Sequence, residues 1–587
     1  MLCHRRLMFT LLFSMAAATS ALPQAAPIPA TQKTDTIDCP RNSPGSVVSE
    51  PVNLRSHDGV LSVSISLRNS VDANGNALYC YIDSNGNQAP TLRLHPGDTL
   101  VLTLRNEISF PPSSSSAKAQ AHAQLHAIVT GASAMSNPCV GGLMTAFDTN
   151  LHFHGMTIPP TCHQDDTLQT IVRPSSAPFE YRIQIPKNQP PGLYWYHPHI
   201  HGFSEDQILG GASGALIIEG IEQAKPQVAG LPERVLVIRD QKMPPANPAQ
   251  KIDPNMPTKD LSVNFTPVPY PQYAPSIIKM KPSERQFWRV LNASADTYLD
   301  LQVLFDGKRQ IMTLVALDGI PIKYDEENSR DSIIQQTRIL LPPAARAEFI
   351  LNGPPSGAKA LLITNAFSRG PSDESNARMP LGAISDARIA AGQDDNDPSR
   401  PLASLVASVD APEPSFRLPV SGTSQPSSMF PPLASVRPVR TRTLYFSEEL
   451  VDPKDPKSLT VFYITEQGQT PAAFDPHRTA PDIIVHQGDV EDWVIENRSQ
   501  EPHAFHIHQT HFLVVGLRGV PYEEPTLRDT INLPPWIGKG RPYPYVKLRM
   551  DFRDPAIIGI FPYHCHILQH VDAGMMGTIR VEPADSK

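Results

Sequence analysis

The chain has 587 residues and a net charge of −8, with acidic and basic residues spread throughout, so no basic face marks a nucleic-acid partner. Its 62 prolines and 33 glycines suit many short strands joined by turns rather than long helices. At about 150 residues per domain the length predicts roughly four units, fewer once tails and linkers are removed.

The N-terminus carries Arg5-Arg6, a mostly apolar run from Leu7 to Ala18, and small residues at Thr19, Ser20 and Ala21. That pattern predicts a signal peptide over residues 1–21 and an exported protein, periplasmic or extracellular. No later apolar run approaches the ~20 residues that cross a bilayer, so no membrane span is expected. Cys3 leaves with the signal, and Cys39, Cys80, Cys139 and Cys162 form an even set. In an exported chain this predicts two disulfides; of three connectivities, Cys39 to Cys80 with Cys139 to Cys162 is the most local.

A repeat organises the mature chain. Pro96-Gly97-Asp98 leads into an alternating stretch with Leu100, Leu102 and Leu104 on one face and Asn106 at its end. Pro282-Ser283-Glu284 leads likewise through Phe287, Arg289 and Leu291 to Asn292, and Gln487-Gly488-Asp489 through Trp493 and Ile495 to Asn497. A turn followed by period-2 alternation is strand chemistry, and its recurrence implies three related β domains. A second repeat aligns Gly192-Leu193-Tyr194-Trp195-Tyr196-His197-Pro198-His199 with Gly559-Ile560-Phe561-Pro562-Tyr563-His564-Cys565-His566. The expected domains are 45–222, 230–368 and 438–585. The first has a surface insertion between Glu107 and Thr149, with the serine run Ser113 to Ser116; residues 369–437, rich in Pro, Ser, Ala and Asp, read as a linker.

Four histidine motifs carry the chemistry. The first domain holds His152-Phe153-His154-Gly155 and His197-Pro198-His199; the last holds His503-Ala504-Phe505-His506-Ile507-His508 and His564-Cys565-His566, followed by His570 and Met575. Ten of the twenty histidines lie in these places, which solvated clusters would not produce. Two histidines, a thiolate and a weak axial methionine form the blue-copper ligand set, for which Cys565, His570 and Met575 supply three members. On a strand, His564 and His566 face away from Cys565. His503 lies an odd number of residues from His506 and His508 and need not share their face, which makes it the natural fourth ligand. Each His-x-His pair puts two imidazoles on one strand face, so four pairs can converge eight imidazoles between the outer domains, enough for three copper ions with positions open for dioxygen.

In order and spacing the four motifs resemble the multicopper oxidase family, which includes laccases, over essentially the whole mature chain. The resemblance implies an all-β fold of three consecutive cupredoxin-like Greek-key β-sandwich or barrel domains. It implies four copper ions: a type 1 ion on His503, Cys565, His570 and axial Met575, a type 2 ion on His152 and His506, and a type 3 pair on His154, His197, His199, His508, His564 and His566. Pro198 stands where Cys565 stands in the repeat, so the first domain should lack a blue-copper site, and the histidine-free middle domain is expected to act as a spacer. The implied activity passes single electrons from a small reducing substrate, laccase-like and phenolic or aromatic, through Cys565 to the cluster, where dioxygen becomes water. A metallo-oxidase of ferrous or cuprous ion, marked by acidic residues or a methionine-rich insert near the type 1 site, is the alternative, with a copper-binding scaffold behind it. The protein is expected as a monomer.

Reduction of dioxygen consumes protons, so a carboxylate donor is expected near the cluster; the resemblance implies one after the first His-x-His motif, at Asp165 or Asp166 with Asp166 slightly preferred. Some relatives carry a glutamate directly after the second type 1 histidine; here Val571 and then Asp572 follow His570. His163, His201 and His511 match no ligand position and are expected behind the ligands or at the surface, His122 and His126 as parts of a solvated insertion, and Met576 as packing. Asn264, Asn292 and Asn497 begin N-x-[ST] sequons.

Overall fold

The computed structural model of the chain describes residues 39–109, 137–174, 176–244, 256–324, 326, 329–368, 396–420, 429–454, 459–517, 520–521 and 524–584. The signal segment, the serine run with His122 and His126, and much of 369–437 lie outside the described residues. The regular structure of the described residues is nearly all strand, arranged as three pairs of sheets in chain order together with a two-stranded pairing of Phe367–Ser368 with Asn396–Asp397. A four-stranded and a five-stranded sheet come first, a nine-stranded and a six-stranded sheet follow, and a seven-stranded and a five-stranded sheet end the chain. Each pair encloses its own apolar core, centred on residues such as Leu102 and Tyr181, then Trp288 and Phe349, then Trp493 and Phe505. The expected cupredoxin-like architecture is the one formed. No helix among the described residues is long and apolar enough to cross a membrane.

The repeated turn, strand and asparagine have one physical explanation. Gly97, Ser283 and Gly488 each take a left-handed conformation, with φ of 93°, 56° and 97°, before the strands Thr99–Asn106, Arg285–Asn292 and Val490–Asn497. Glycine holds that conformation without steric cost, and the middle domain tolerates serine there. The closing asparagines clip the strand to its neighbours. Asn106 Nδ2 donates to the carbonyls of Phe147 and Val172, Asn292 Nδ2 to Thr297 and Leu341, and Asn497 Nδ2 to Glu501 and Pro534. Asn264 is likewise buried, its amide donating to Ser49 and Val235. All three sequon asparagines are therefore structural.

One expectation is corrected. Residues 400–407 do not belong to a linker: Arg400–Ala407 lies inside the six-stranded sheet of the middle pair, parallel to Ser276–Met280 and antiparallel to Ala360–Thr364. A register shift between Leu362 and Ile363 puts both Leu402 and Ala403 in the interior, so the alternation that betrays a strand is broken there. The short strand Phe416–Arg417 also pairs with Pro232 and Glu233 of the nine-stranded sheet. Both expected disulfides form, Cys39 with Cys80 and Cys139 with Cys162, at a Cα separation of 5.6 Å in each.

Candidate metal centres

Two strands of the last five-stranded sheet, His503–Ile507 and Gly559–Cys565, run antiparallel with Phe505 opposite Cys565 and His506 opposite His564. Opposed residues share a face and successive residues alternate. His503 and Cys565 thus emerge on one side of the sheet, and His506 and His564 on the other. The parity expected for the four motifs is realised.

On the first side, Cys565 Sγ lies 3.7 Å from both His503 Nδ1 and His570 Nδ1, and the two nitrogens are 3.1 Å apart. All three residues are buried, and Met575 is fully buried in the same apolar cluster as Cys565. The loop that carries His570 and Met575 is closed by hydrogen bonds from Cys565 N–H to Met575 O at 3.2 Å and from Met575 N–H to His570 O at 3.0 Å. Phe446 stacks on His503 at 4.9 Å and Phe462 on His570 at 4.2 Å, which holds the rings in place. Outside them, Ser499 Oγ is 2.6 Å from His503 Nε2 and Glu501 Oε2 is 3.2 Å from His570 Nε2. Burial drives the His503 pKa well down. At His570 burial acts the same way, but Cys565 and Glu501 outweigh it and raise the pKa to about 10.

On the second side, His152–His154 and Gly192–His197 of the first domain bring their histidines against those of the last. His152 stacks on His508 at 3.7 Å and His154 on His506 at 3.9 Å. The Nε2 atoms of His199 and His508 lie 3.3 and 3.2 Å from that of His564. The rings of His154, His197 and His566 form a second trio, 5.1 to 5.7 Å apart, and His152 and His506 a pair at 5.9 Å.

All eight imidazoles are buried, and seven of them (His152, His154, His197, His199, His506, His508 and His566) have a ring nitrogen with no hydrogen-bond partner. Desolvation lowers the pKa of His564 to about 3 and those of His154, His197, His199, His506, His508 and His566 well below the ordinary value. Buried, neutral imidazoles with unsatisfied lone pairs are costly as a polar core and suited to a cation. The donor set fits copper: two imidazoles and a thiolate with a methionine at one site, imidazoles alone at the other.

The outer contacts revise the expectation about the carboxylates. Asp165, not Asp166, meets the cluster: its Oδ2 lies 2.9 Å from His152 Nδ1, and it also accepts from Phe153 N–H and the Gln509 amide. Asp166 turns away to accept the backbone N–H of Gln169, and partial burial raises its pKa to about 6. Asp529 was not singled out by any motif. It is fully buried, its Oδ1 3.2 Å from His154 Nε2 and its carbonyl 2.8 Å from His506 Nδ1. Burial alone would raise its pKa; Arg346 holds it well below the carboxylate range. Arg346 comes from the middle domain, which is therefore more than a spacer. Asp572 is occupied elsewhere, accepting the backbone N–H groups of Ser204 and Glu205 at the start of a short first-domain helix. His511 is buried and His201 half-buried beside the cluster, His163 is exposed, and Met576 packs with Ile208 and Leu568.

Family models described as multicopper oxidase match residues 144–223 and 451–585, the two regions that hold the four motifs. The chain is 23% identical over 444 residues to a multicopper oxidase of Staphylococcus haemolyticus, covering 74% of this chain and 77% of that protein. A laccase of Haloferax volcanii is 22% identical over 479 residues, covering 77% and 70% of the two chains. The solved structure of a Campylobacter jejuni multicopper oxidase, described as a metallo-oxidase, shares the fold with a TM-score of 0.61 at 23% identity, over 92% of this chain and 96% of that one. Matched at both halves of the copper constellation and built on the same fold, the chain belongs to the multicopper oxidase family.

Proposed function

We propose that the protein is a dioxygen-reducing oxidase whose electron donor is a low-valent metal ion, ferrous or cuprous, taken at the outer edge of His570. The carrying observation is Glu501, whose carboxylate lies 3.2 Å from His570 Nε2 with its side chain 37% exposed. Glu448 stands close enough to Glu501 and His570 for their charges to act on it. A carboxylate pair beside His570 attracts a cation and offers oxygen ligands to it.

Four copper ions are expected. A type 1 ion would be held by His503, Cys565, His570 and Met575, a type 2 ion by His152 and His506, and a type 3 pair by the two trios His154, His197 and His566 and His199, His508 and His564. Bound there, copper supplies one-electron acceptance at the first site and four-electron reduction of dioxygen to water at the second. Cys565 is peptide-bonded to His564 and His566, so the path between the sites is covalent. Asp165 orients His152 by accepting its Nδ1–H and is the nearest carboxylate to the cluster for holding a proton on its way to reduced oxygen.

A laccase-type reaction is the second reading, favoured by the similarity to the Haloferax laccase and by the capacity of Glu501 to accept a hydrogen bond from a phenol hydroxyl. Oxygen uptake by copper-loaded protein with ferrous ion, cuprous ion and a phenol separates them. Glu501→Gln is expected to raise KM for the metal ion on the order of 10-fold, within the range of losses when a group behind a metal ligand is changed, and to leave the phenol nearly unchanged. A variant impaired only with the phenol would reverse the assignment. The loaded protein should also show an intense visible band from the Cys565 thiolate; colourless copper-loaded protein would remove both readings and leave a copper-binding scaffold.

A further inference from the structure

The middle domain contributes no histidine to the cluster, yet one of its strands reaches it. Arg346–Asn352 begins with Arg346 and carries Glu348 two residues on, both fully buried on the same face. Glu348 Oε1 accepts the N–H of Leu193 at 2.9 Å, and Arg346 Nε donates to the Leu193 carbonyl at 3.1 Å. Both polar backbone atoms of a residue in the strand that ends at His197 are therefore held by the middle domain. The other two guanidinium nitrogens point the opposite way, Nη1 to Asp529 Oδ1 at 2.8 Å and Nη2 to Asp529 Oδ2 at 2.6 Å. Asp529 in turn touches His154 through its carboxylate and His506 through its carbonyl. Arg346 is itself anchored, its backbone N–H donating to Asp318 Oδ1 at 2.9 Å, while Asp318 Oδ2 accepts from Arg528, the residue before Asp529.

We propose that Arg346 is a positioning residue for the copper cluster: its guanidinium sets the separation of the first-domain and third-domain histidines by tying Leu193 to Asp529. The inference rests on the reading of the eight histidines as a copper site. A planar fork with donors on two sides serves this purpose, and a lysine ammonium does not reproduce it.

The test compares wild-type protein with Arg346→Met, Arg346→Lys and Arg239→Met after loading with cupric ion. Arg239 is also buried and also ties the middle domain to the first, through Ser213 at 2.8 and 2.7 Å, but bonds to no residue of the cluster. Copper per chain, the thiolate absorption, the paramagnetic resonance of the non-blue copper and KM for dioxygen are measured. Arg346→Met is expected to keep the thiolate band while copper affinity of the cluster falls on the order of 10–100-fold, with Arg346→Lys recovering part of it and Arg239→Met keeping the wild-type copper ratio. Wild-type copper content and dioxygen KM in Arg346→Met would overturn the proposal, as would an equal copper loss in Arg239→Met. Should Arg346→Met not fold, Asp529→Asn removes the charge pairing at constant shape and carries the same expectation, and unchanged cluster copper there overturns it. Wild-type protein that takes up no copper would bring down the underlying reading instead.

Discussion

Glu448 gives the donor edge of His570 a pH dependence whose sign is fixed. Burial, and then the neighbouring Glu501, raise its pKa to about 7, so it is neutral below that pH and anionic above it. A cationic donor gains an attractive charge as the pH rises through that value, whereas an uncharged phenol does not. KM for ferrous ion should therefore fall several-fold between pH 6 and pH 7.5 on the order expected for one added charge, and Glu448→Gln should flatten the profile; an unchanged profile in that variant would exclude Glu448 as its source. The residues that converge at the two sites were legible because each sits in a motif whose residue types and parity imply a metal, as with His503 beside Cys565. Their partners were not. Asp165 and Asp166 are adjacent, and only the turn that sends Asp166 to the Gln169 amide decides which one meets His152. Glu501, Glu448 and Asp529 lie in no spaced pattern and acquire their roles only when distant strands are brought beside them.

At the scale of the element, the turn, eight-residue strand and asparagine clip were readable in all three domains, since local conformation and alternation both write themselves into sequence. Arg400–Ala407 was not, because a register irregularity erased the period that would have announced it. The step after His154 is a further case of local constraint with distant consequence. Gly155 has φ of +84°, and a Cβ there would meet Arg346 Nη2 at 2.5 Å and Asp529 Oδ2 at 2.6 Å. Gly155→Ala should cost about 1–2 kcal/mol from backbone strain alone and should displace the Arg346 and Asp529 pair. Thermal melting together with copper content checks this; a variant with wild-type melting and full copper would show that the pair can yield.

At the scale of the molecule, the eight histidines come from two domains that are far apart in sequence, so metal bound between them favours the folded, docked arrangement over any open one. A site occupied at 100 times its dissociation constant adds about 2.7 kcal/mol to stability. Copper-depleted protein should thus melt several degrees lower, with cupric ion restoring the transition. Identical melting of depleted and loaded protein would mean that the domains dock without help from the metal. The number and order of the domains were readable from repeats, while the contribution of the middle one was not, since Arg346 looks like any strand arginine until its partners are known.

The alternation along Gly559–Cys565 makes the last five-stranded sheet a partition one strand layer thick. On the proposed reading, donor chemistry lies against one surface, around Cys565 and His570, and oxidant chemistry against the other, around His564 and His566. What crosses is the backbone of one residue, Cys565. Residues at the donor surface, Glu448 and Glu501 among them, can therefore change without disturbing the imidazoles behind the wall. A lineage built on this partition is free to exchange one reductant for another while its handling of dioxygen stays the same.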